Sequence, residues 1–290
     1  MDQWDEAGRI AKEALDYGKT LIKKGASMRD VCDQIDQKII ELGALPAWPT
    51  QIGNDHVAAH FTPEPEDTSV FNKELVCLDV GANLNGFIGD NACTIDLSGK
   101  HEKLILASKE ALDEAIKLCV PGTKIGLIGK KIQEVITKYG FAPVKNLSGH
   151  GLSEWIIHDK PSIPNYDNGS QVELKDGQII AIEPFATTGV GLIEEAGQTN
   201  IFALEEIKPV RSPFAREVLQ YIQNNYKNLP FTTRWLVEKF GKGKTNLALK
   251  ELCLNGLLTQ HPALVEKSKG LVSVWEHTIR VGQTPEVLTK

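Results

Sequence analysis

Apolar residues recur at helical spacing near the start of the chain and again after residue 100. The first run, over residues 7–22, predicts an amphipathic helix, and residues 27–43 predict a second one. Residues 102–119 and 122–140 repeat this arrangement, with glycine closing each unit. The repetition predicts that the chain contains two related halves.

Each predicted helix pair leads to an apolar strand that ends in a carboxylate. The first strand covers Leu75–Asp79 and the second covers Gly177–Glu183. A duplication would place Asp79 and Glu183 at equivalent points, with a binding site where the halves meet. The alternative is that helices ended by glycine are a common local pattern, in which case the similarity implies no duplication.

Residues 208–270 depart from this repeat. The pattern predicts helices over Phe214–Tyr226, Thr233–Phe240 and Lys244–Leu258, then a hairpin around His261–Gly270. Three helices and a hairpin are typical of a winged helix, which would suggest nucleic-acid binding. The position between two strands of a larger fold favours a structural lobe instead.

Charge divides the chain along the same boundary. Residues 208–270 carry 11 Lys and Arg against 4 Asp and Glu, a net of +7, whereas the remainder carries −13. A basic segment on an acidic body indicates two surfaces with different partners. We therefore predict a catalytic domain of residues 1–207 plus 271–290, with residues 208–270 inserted as a winged-helix-like subdomain.

Composition restricts the class of protein. A hydrophobic fraction of 41% and a charged fraction of 24% are ordinary for a globular protein, and no apolar run approaches the ~20 residues of a membrane helix. The acidic start of the chain shows no secretory signal, and the five cysteines form no CxxC pair. These features predict a cytoplasmic protein with reduced thiols.

Five side chains of the metal-ligand type follow apolar runs that predict strands: Asp79, Asp90, His150, Glu183 and Glu276. Taken singly, each has an ordinary explanation as a turn cap, a loop histidine or a surface residue. Four carboxylates converging in one fold could not remain buried as bare charges. Together the five could hold two divalent cations about 3.5–4 Å apart, as in many hydrolases. The set predicts a metallohydrolase.

The local motifs around these residues resemble those of the type II methionine aminopeptidases, which have the pita-bread metallopeptidase fold. The resemblance covers essentially the whole chain. It implies an α+β duplicated fold with an inserted helical lobe before the last ligand. The motifs are Asn54–Pro63, Leu78–Gly81, Gly89–Asp90, Gly149–Leu152, Ala181–Phe185 and Trp275–Thr278.

The resemblance implies a role for each ligand. Asp79 would chelate one metal, Asp90 and Glu276 would bridge the pair, and His150 and Glu183 would complete the other metal. A solvent molecule between the cations would become the nucleophile, and Glu183 would move its proton towards the leaving amine. Oxygen and imidazole ligands suit Mn²⁺, Fe²⁺, Co²⁺ or Zn²⁺, and the sequence does not choose among them.

Four further residues are expected to contact the substrate. By resemblance, His60 and His158 would hydrogen-bond the scissile peptide and stabilise its oxyanion. Trp48 and Ile157 would line the pocket for the first side chain. Trp48–Pro49 departs from the Phe–Pro usual in the family, and the larger ring is expected to narrow this pocket.

The resulting hypothesis is a monomeric enzyme that removes the initiator methionine of nascent proteins when the second residue is small. By the same rule Met1 of this chain is predicted to be retained, because Asp2 is bulky and charged. Two alternatives stay open. One is an Xaa-Pro peptidase of the same fold, disfavoured because the first half is expected to begin near residue 5 without a preceding domain. The other is a non-catalytic adapter that binds RNA or protein through its basic lobe, which could also give transient contact with the ribosome.

Overall fold

Helices and strands are interspersed along the chain. The computed structural model describes residues 2–290 apart from the side chain of Gln198. The prediction for Met1 lies outside the described residues. The helices within that range are α1 (Gln3–Leu21), α2 (Met28–Glu41), α3 (Glu102–Ile116), α4 (Ile125–Lys138), α5 (Pro213–Asn225), α6 (Thr233–Phe240) and α7 (Lys242–Leu254).

The strands form three sheets. They are β1 (Leu45–Pro46), β2 (Gln51–Asn54), β3 (Val57–Ala59), β4 (Leu75–Leu84), β5 (Phe87–Asp96), β6 (Ala142–Pro143), β7 (Ser148–Ser153), β8 (Ile156–Pro164), β9 (Ile179–Ile182), β10 (Phe185–Thr187), β11 (Ile193–Leu204), β12 (Phe231–Thr232), β13 (Leu258–Glu266), β14 (Val272–Val274), β15 (Glu276–Arg280) and β16 (Glu286–Val287).

The largest sheet runs in the order β1-β4-β5-β15-β9-β7-β8, with β2 also paired to β4 and β16 to β15. A second sheet has the order β14-β10-β6, and a third has the order β12-β11-β13-β3. The strand β15, from near the end of the sequence, therefore joins β5 of the first half to β9 of the second.

The predicted repeat of helix pairs is present. Helices α2 and α4 each have 14 residues, and each is followed by a glycine with positive φ, Gly43 and Gly140. The apolar faces of α1 and α2 pack with β4 in one core, and those of α3 and α4 pack with β9 in another. The α+β class predicted from the sequence is confirmed.

The predicted end of the strand at Asp79 is wrong. Strand β4 continues for five residues beyond Asp79, and β5 pairs with it along its whole length. Asp90 and His150 also lie within their strands rather than at the ends. The strands continue because neighbouring strands supply backbone partners even where an apolar run is interrupted by a polar residue.

The three helices predicted between residues 208 and 270 are present as α5, α6 and α7, and they enclose a small core of their own. The hairpin predicted around His261 is wrong, because β13 runs straight through this residue and pairs with β11 and β3. Pro262 is accommodated opposite a bulge in β11, where no ladder hydrogen bond is needed.

Among the described residues, no helix combines the length and the apolar composition that crossing a membrane requires.

Candidate metal centre

Five neighbouring strands of the large sheet carry the five predicted ligands. Asp79 lies on β4, Asp90 on β5, Glu276 on β15 and His150 on β7, and Glu183 follows the last residue of β9. The order of these strands in the sheet is β4-β5-β15-β9-β7 without interruption. Residues that lie far apart in sequence are thus brought to one region of a single sheet.

The register of the sheet also places the five side chains on one face. Ala92 is paired with both Asp79 and Glu276, and Asp90 lies two residues from it. Ala181 is paired with His150 and with Thr278, and Glu183 lies two residues beyond it. Because paired residues share a face and side chains alternate along a strand, all five ligands point to the same side.

Three of the ligands come close enough to surround one ion. One ligand atom each from Asp90, His150 and Glu276 lies within 4.8 Å of the other two, and all three residues are buried. His150 Nε2 lies 3.6 Å from Asp90 Oδ2 and 3.9 Å from Glu183 Oε1. Asp79 and Glu183 are less buried than these three residues, and all five border a cavity.

Across residues 2–290, as far as the structure describes them, no Lys or Arg side chain neutralises the four carboxyl groups. Among the described residues, no Lys or Arg forms an ion pair with any of them, and only His150 lies within that distance. Burial raises the pKa of Asp79 to about 7, although a hydrogen bond from Trp48 opposes this shift.

The other three carboxyl groups show the same effect. Burial, and then repulsion from neighbouring carboxylates, raises the pKa of Asp90, Glu183 and Glu276 well above the ordinary value. Divalent cations would remove this repulsion, so the donor set fits them.

His150 is held as a neutral ligand. Its Nδ1 donates a hydrogen bond to the carbonyl of Gly151 at 3.1 Å, which leaves the lone pair of Nε2 directed at Asp90 and Glu183. Burial, and then the neighbouring His158, lower the pKa of His150 to about 3, so the imidazole carries no second proton near neutral pH. A neutral imidazole is the form that binds a metal.

A cavity of about 500 Å³ opens over the carboxylate cluster and is lined by His60 and His158. The ring of His158 lies 4.7 Å from that of His150, measured between centroids. Burial, and then the nearby His261 and His158, lower the pKa of His60 to about 4. His60 is therefore neutral near pH 7, and a hydrogen bond to the backbone of Pro262 opposes the shift only in part.

Trp48 and Ile157 both line the cavity, as predicted for the wall of a side-chain pocket. The indole of Trp48 is buried, and its Nε1 donates a hydrogen bond of 3.2 Å to Asp79 Oδ1. The ring lies against Gly81, where an added Cβ would come within 2.4 Å of it. Trp48 thus touches both the pocket and a predicted metal ligand.

Comparison with known proteins assigns the chain to a family. Residues 2–209 match the profile of Metallopeptidase family M24. The methionine aminopeptidase of Archaeoglobus fulgidus is 44% identical over 277 residues, covering 95% of this chain and 93% of the relative. The chain belongs to this metallopeptidase family. A second methionine aminopeptidase, from Thermococcus onnurineus, is 39% identical and covers 98% of this chain and 97% of its own length.

Solved structures of similar fold support the pita-bread assignment for this M24 member. A methionine aminopeptidase from Rickettsia prowazekii has a TM-score of 0.70 with 24% identity, covering 99% of this chain and 96% of the other. The structure of a thermophilic Arx1 has a TM-score of 0.87 with 17% identity, covering 99% of this chain and 89% of the other. At these identities the likeness shows the fold alone. Together with the buried Asp, His and Glu cluster, membership of a metallopeptidase family indicates divalent metal binding.

The cavity over the carboxylate cluster is also lined by two residues that the sequence did not identify as part of the site. His261 lines the cavity, and its ring centroid lies 5.6 Å from that of His60. Gln51 lines it as well, and its side-chain oxygen accepts a hydrogen bond of 2.6 Å from the backbone N–H of His60. Neither residue stands in a recognisable motif, so no local pattern could have distinguished them from ordinary strand residues.

Proposed function

We propose that this protein removes the N-terminal methionine from nascent proteins and peptides whose second residue is small. The observation that carries the proposal is the convergence of four carboxylates and one neutral imidazole on one face of five adjacent strands, beneath an open cavity. The curated relatives named methionine aminopeptidase align with nearly the whole chain, which supports the same activity here.

The residues that would hold two divalent cations are Asp79, Asp90, His150, Glu183 and Glu276. Asp90 lies at hydrogen-bond range of Glu276 and near His150, so Asp90 and Glu276 would each serve both cations. When bound, such cations supply an acidified water and polarise the scissile carbonyl. Mn²⁺, Fe²⁺, Co²⁺ and Zn²⁺ all accept these donors.

Glu183 would move the proton during hydrolysis. Its side chain is only 17% exposed and borders the cavity, so it can reach a water molecule beside the substrate. A carboxylate within hydrogen-bond reach of the attacking water can accept its proton and release it to the leaving amine.

His60 and His158 would hold the scissile peptide from the opposite side. Both are placed on the cavity wall, and the lowered pKa of each, caused first by burial, keeps the imidazole neutral near pH 7. A neutral imidazole donates one N–H to the peptide carbonyl, where negative charge develops in the transition state.

The methionine side chain would enter between Trp48 and Ile157. A flexible thioether packs well against an aromatic ring, and both residues face the cavity. The indole is fixed by Asp79 and by contact with Gly81, so the width of this pocket is set by a ring that cannot swing away. We infer that side chains bulkier than that of methionine are excluded from the first substrate position.

Cleavage of Met-Ala-Ser tests the proposal. Protein stripped with EDTA is expected to be inactive and to regain methionine release when Mn²⁺ or Co²⁺ is added. Met-Asp-Ser and an Xaa-Pro peptide without methionine serve as controls and are expected to remain intact. Preferential cleavage of the Xaa-Pro peptide would indicate an Xaa-Pro peptidase instead. If no peptide is cleaved with or without added metal, the result would favour a non-catalytic binding protein.

We further propose that the enzyme works as a cytoplasmic monomer and approaches the ribosome weakly through the basic segment 208–270. The net charge of +7 supports an attraction to a polyanion, although Lys242 and Lys244 already pair with Glu66 and Glu217. Charge reversal at Lys239, Lys242 and Lys244 is expected to reduce co-sedimentation with ribosomes at low salt and to leave tripeptide cleavage intact. Unchanged co-sedimentation would leave the segment with a structural role.

A further inference from the structure

His60 has a backbone conformation that needs external support. Its φ is 58°, in the left-handed region that residues other than glycine seldom adopt. Such a conformation costs on the order of 1–3 kcal/mol and persists only where neighbouring groups hold it. The position of the imidazole therefore depends on the groups that fix the short loop after β3.

The segment of residues 50–52 holds this loop at three points. Gln51 accepts the backbone N–H of His60, and the N–H of Ile52 donates to the carbonyl of Phe61 at 2.9 Å. Two residues after His60, the buried hydroxyl of Thr62 donates to the carbonyl of Thr50 at 2.9 Å. The loop is thus tied at both ends to the segment of residues 50–52.

Arg234 of helix α6 contacts the loop after β3 directly and is linked to the segment of residues 50–52 through Asp36. Its Nη1 donates to Thr62 Oγ1 at 2.6 Å and to the carbonyl of Pro63 at 2.9 Å. Its Nη2 lies 3.4 Å from Asp36 Oδ2. The guanidinium is buried, with 4% of its side chain exposed, so these contacts are shielded from water.

Asp36 of helix α2 completes the connection. Its Oδ1 accepts from both the backbone N–H and the hydroxyl of Thr50, at 3.0 and 2.7 Å. Its Oδ2 accepts from Trp235 Nε1 at 3.1 Å. The segment that carries Gln51 and the loop that carries His60 are therefore joined through one buried ion pair, to which the inserted helices contribute the cation.

We propose that Arg234 is a positioning residue for His60, and that the inserted helical segment takes part in catalysis through it. The inference rests on the proposed function in giving His60 a role in the transition state. The ordinary alternative is that the Arg234–Asp36 pair only joins two parts of the fold. The positioning role predicts that loss of Arg234 displaces the His60 imidazole, whereas a purely structural role predicts no such displacement.

The test compares Arg234→Met with wild type by steady-state kinetics on Met-Ala-Ser and by NMR of the His60 ring, assigned with His60→Ala. We expect kcat to fall roughly 10–10²-fold, because small displacements of a catalytic group are costly, while KM and metal stoichiometry change little. The His60 ring resonance is expected to shift. In a His60→Ala background, Arg234→Met should lower kcat little further, since both changes remove the same contribution.

Arg280→Met is the matched control. Arg280 also binds several carboxylates, those of Asp2, Asp5 and Glu286, but its hydrogen bonds do not reach the loop that carries His60. The Arg280→Met variant should have a lower melting temperature than wild type, with an unchanged His60 resonance and an unchanged kcat. If Arg234→Met does not fold, Thr62→Val and Arg234→Lys keep most of the packing and should show the same effects in weaker form.

An unchanged His60 resonance, or a loss of kcat that adds fully to that of His60→Ala, would overturn the proposal. Absence of methionine release by the wild-type protein would instead count against the proposed function. The NMR comparison distinguishes these failures, because it needs no turnover.

Discussion

At the scale of single residues, the centre depends on carboxylates whose charge no Lys or Arg side chain compensates in the part of the chain that the structure describes. Asp90 and Glu276 are both buried, with 3% and 4% exposure, and no Lys or Arg in the described part of the chain pairs with them. His60 differs in kind, because it is neutral and borders the cavity. Substitutions at these two types of residue should therefore have separable effects on metal binding and on turnover.

Asp90→Asn and Glu276→Gln are expected to abolish methionine release. Each removes one negative charge from a proposed bridge between two cations, so the metals should bind weakly or singly. Metal stoichiometry of the purified variants, together with peptide cleavage, measures this. Either variant with full metal content and near wild-type turnover would show that the bridging assignment is wrong.

His60→Ala is expected to lower kcat by roughly 10²–10³-fold, the usual cost of removing a preorganised hydrogen-bond donor. Metal affinity should be unaffected, because His60 lies outside the carboxylate cluster. Isothermal titration with Mn²⁺ beside the kinetic measurement separates the two effects. A variant that fails to hold metal would place His60 among the ligands.

At the scale of elements, the contact between β5 and β15 is decisive, because it joins the two halves beside the metal ligands. The ladder registers Glu276 against Ala92 and His277 against Asn91. Beyond it, the buried hydroxyl of Thr278 accepts from the N–H of Asp90 and donates to its carbonyl, both at 2.8 Å. One side chain thus fixes the backbone of a ligand on the neighbouring strand.

Thr278→Val is expected to destabilise the protein by about 1–3 kcal/mol, because it leaves the buried N–H and carbonyl of Asp90 without partners. It should also weaken metal binding, roughly 10–100-fold by analogy with other supporting hydrogen bonds at metal sites. Thermal unfolding with and without Mn²⁺ provides the measurement. Thr278→Ser, which keeps the hydroxyl, is the control and should behave nearly as wild type.

The sequence predicted the helices better than the strands. The period of apolar residues in α1 to α4 located each helix within a few residues, because one face of every helix packs on a sheet. Strand β4 was predicted too short, since Asp79 interrupts the apolar run and its continuation depends on pairing with β5. Likewise Pro262 suggested a turn, and only the bulge of β11 explains a strand there.

In the candidate centre, too, residues in local motifs were predicted and residues placed by tertiary contacts were not. All five predicted ligands meet on one face, and His60, His158, Trp48 and Ile157 line the cavity, while their roles stay predictions. Gln51, His261 and Arg234 were not predicted, because their importance arises from contacts between segments that are distant in sequence. Such contacts leave no local pattern.

At the scale of the whole molecule, stability should depend on metal and pH together. The pKa of Asp79 in the folded protein is about 7, raised by burial from 3.8, so ionisation opposes folding as pH rises through that value. The histidines with lowered pKa, such as His60 with about 4 against 6.5, contribute their full stability above 6.5 and lose it only at lower pH. Near neutral pH the carboxylates therefore determine how the free energy of unfolding changes with pH.

EDTA-treated protein is expected to melt at a lower temperature at about pH 8 than at about pH 6, because the folded state then holds more unneutralised carboxylates. Saturating Mn²⁺ should raise the melting temperature more at the higher pH, where it displaces fewer protons. Asp79→Asn should reduce this dependence on pH. A melting temperature independent of pH in EDTA would contradict the predicted repulsion.

The arrangement of ligands across five neighbouring strands has a consequence for when the enzyme first becomes competent. Glu276 lies near the end of the sequence, yet β15 is inserted between β5 and β9, which are made much earlier. A strand displaced by one residue would turn its ligand to the opposite face. The centre is therefore complete only after Glu276 has been synthesised and every register is correct. A partly made or misaligned copy stays inert, and metal capture marks the completion of folding.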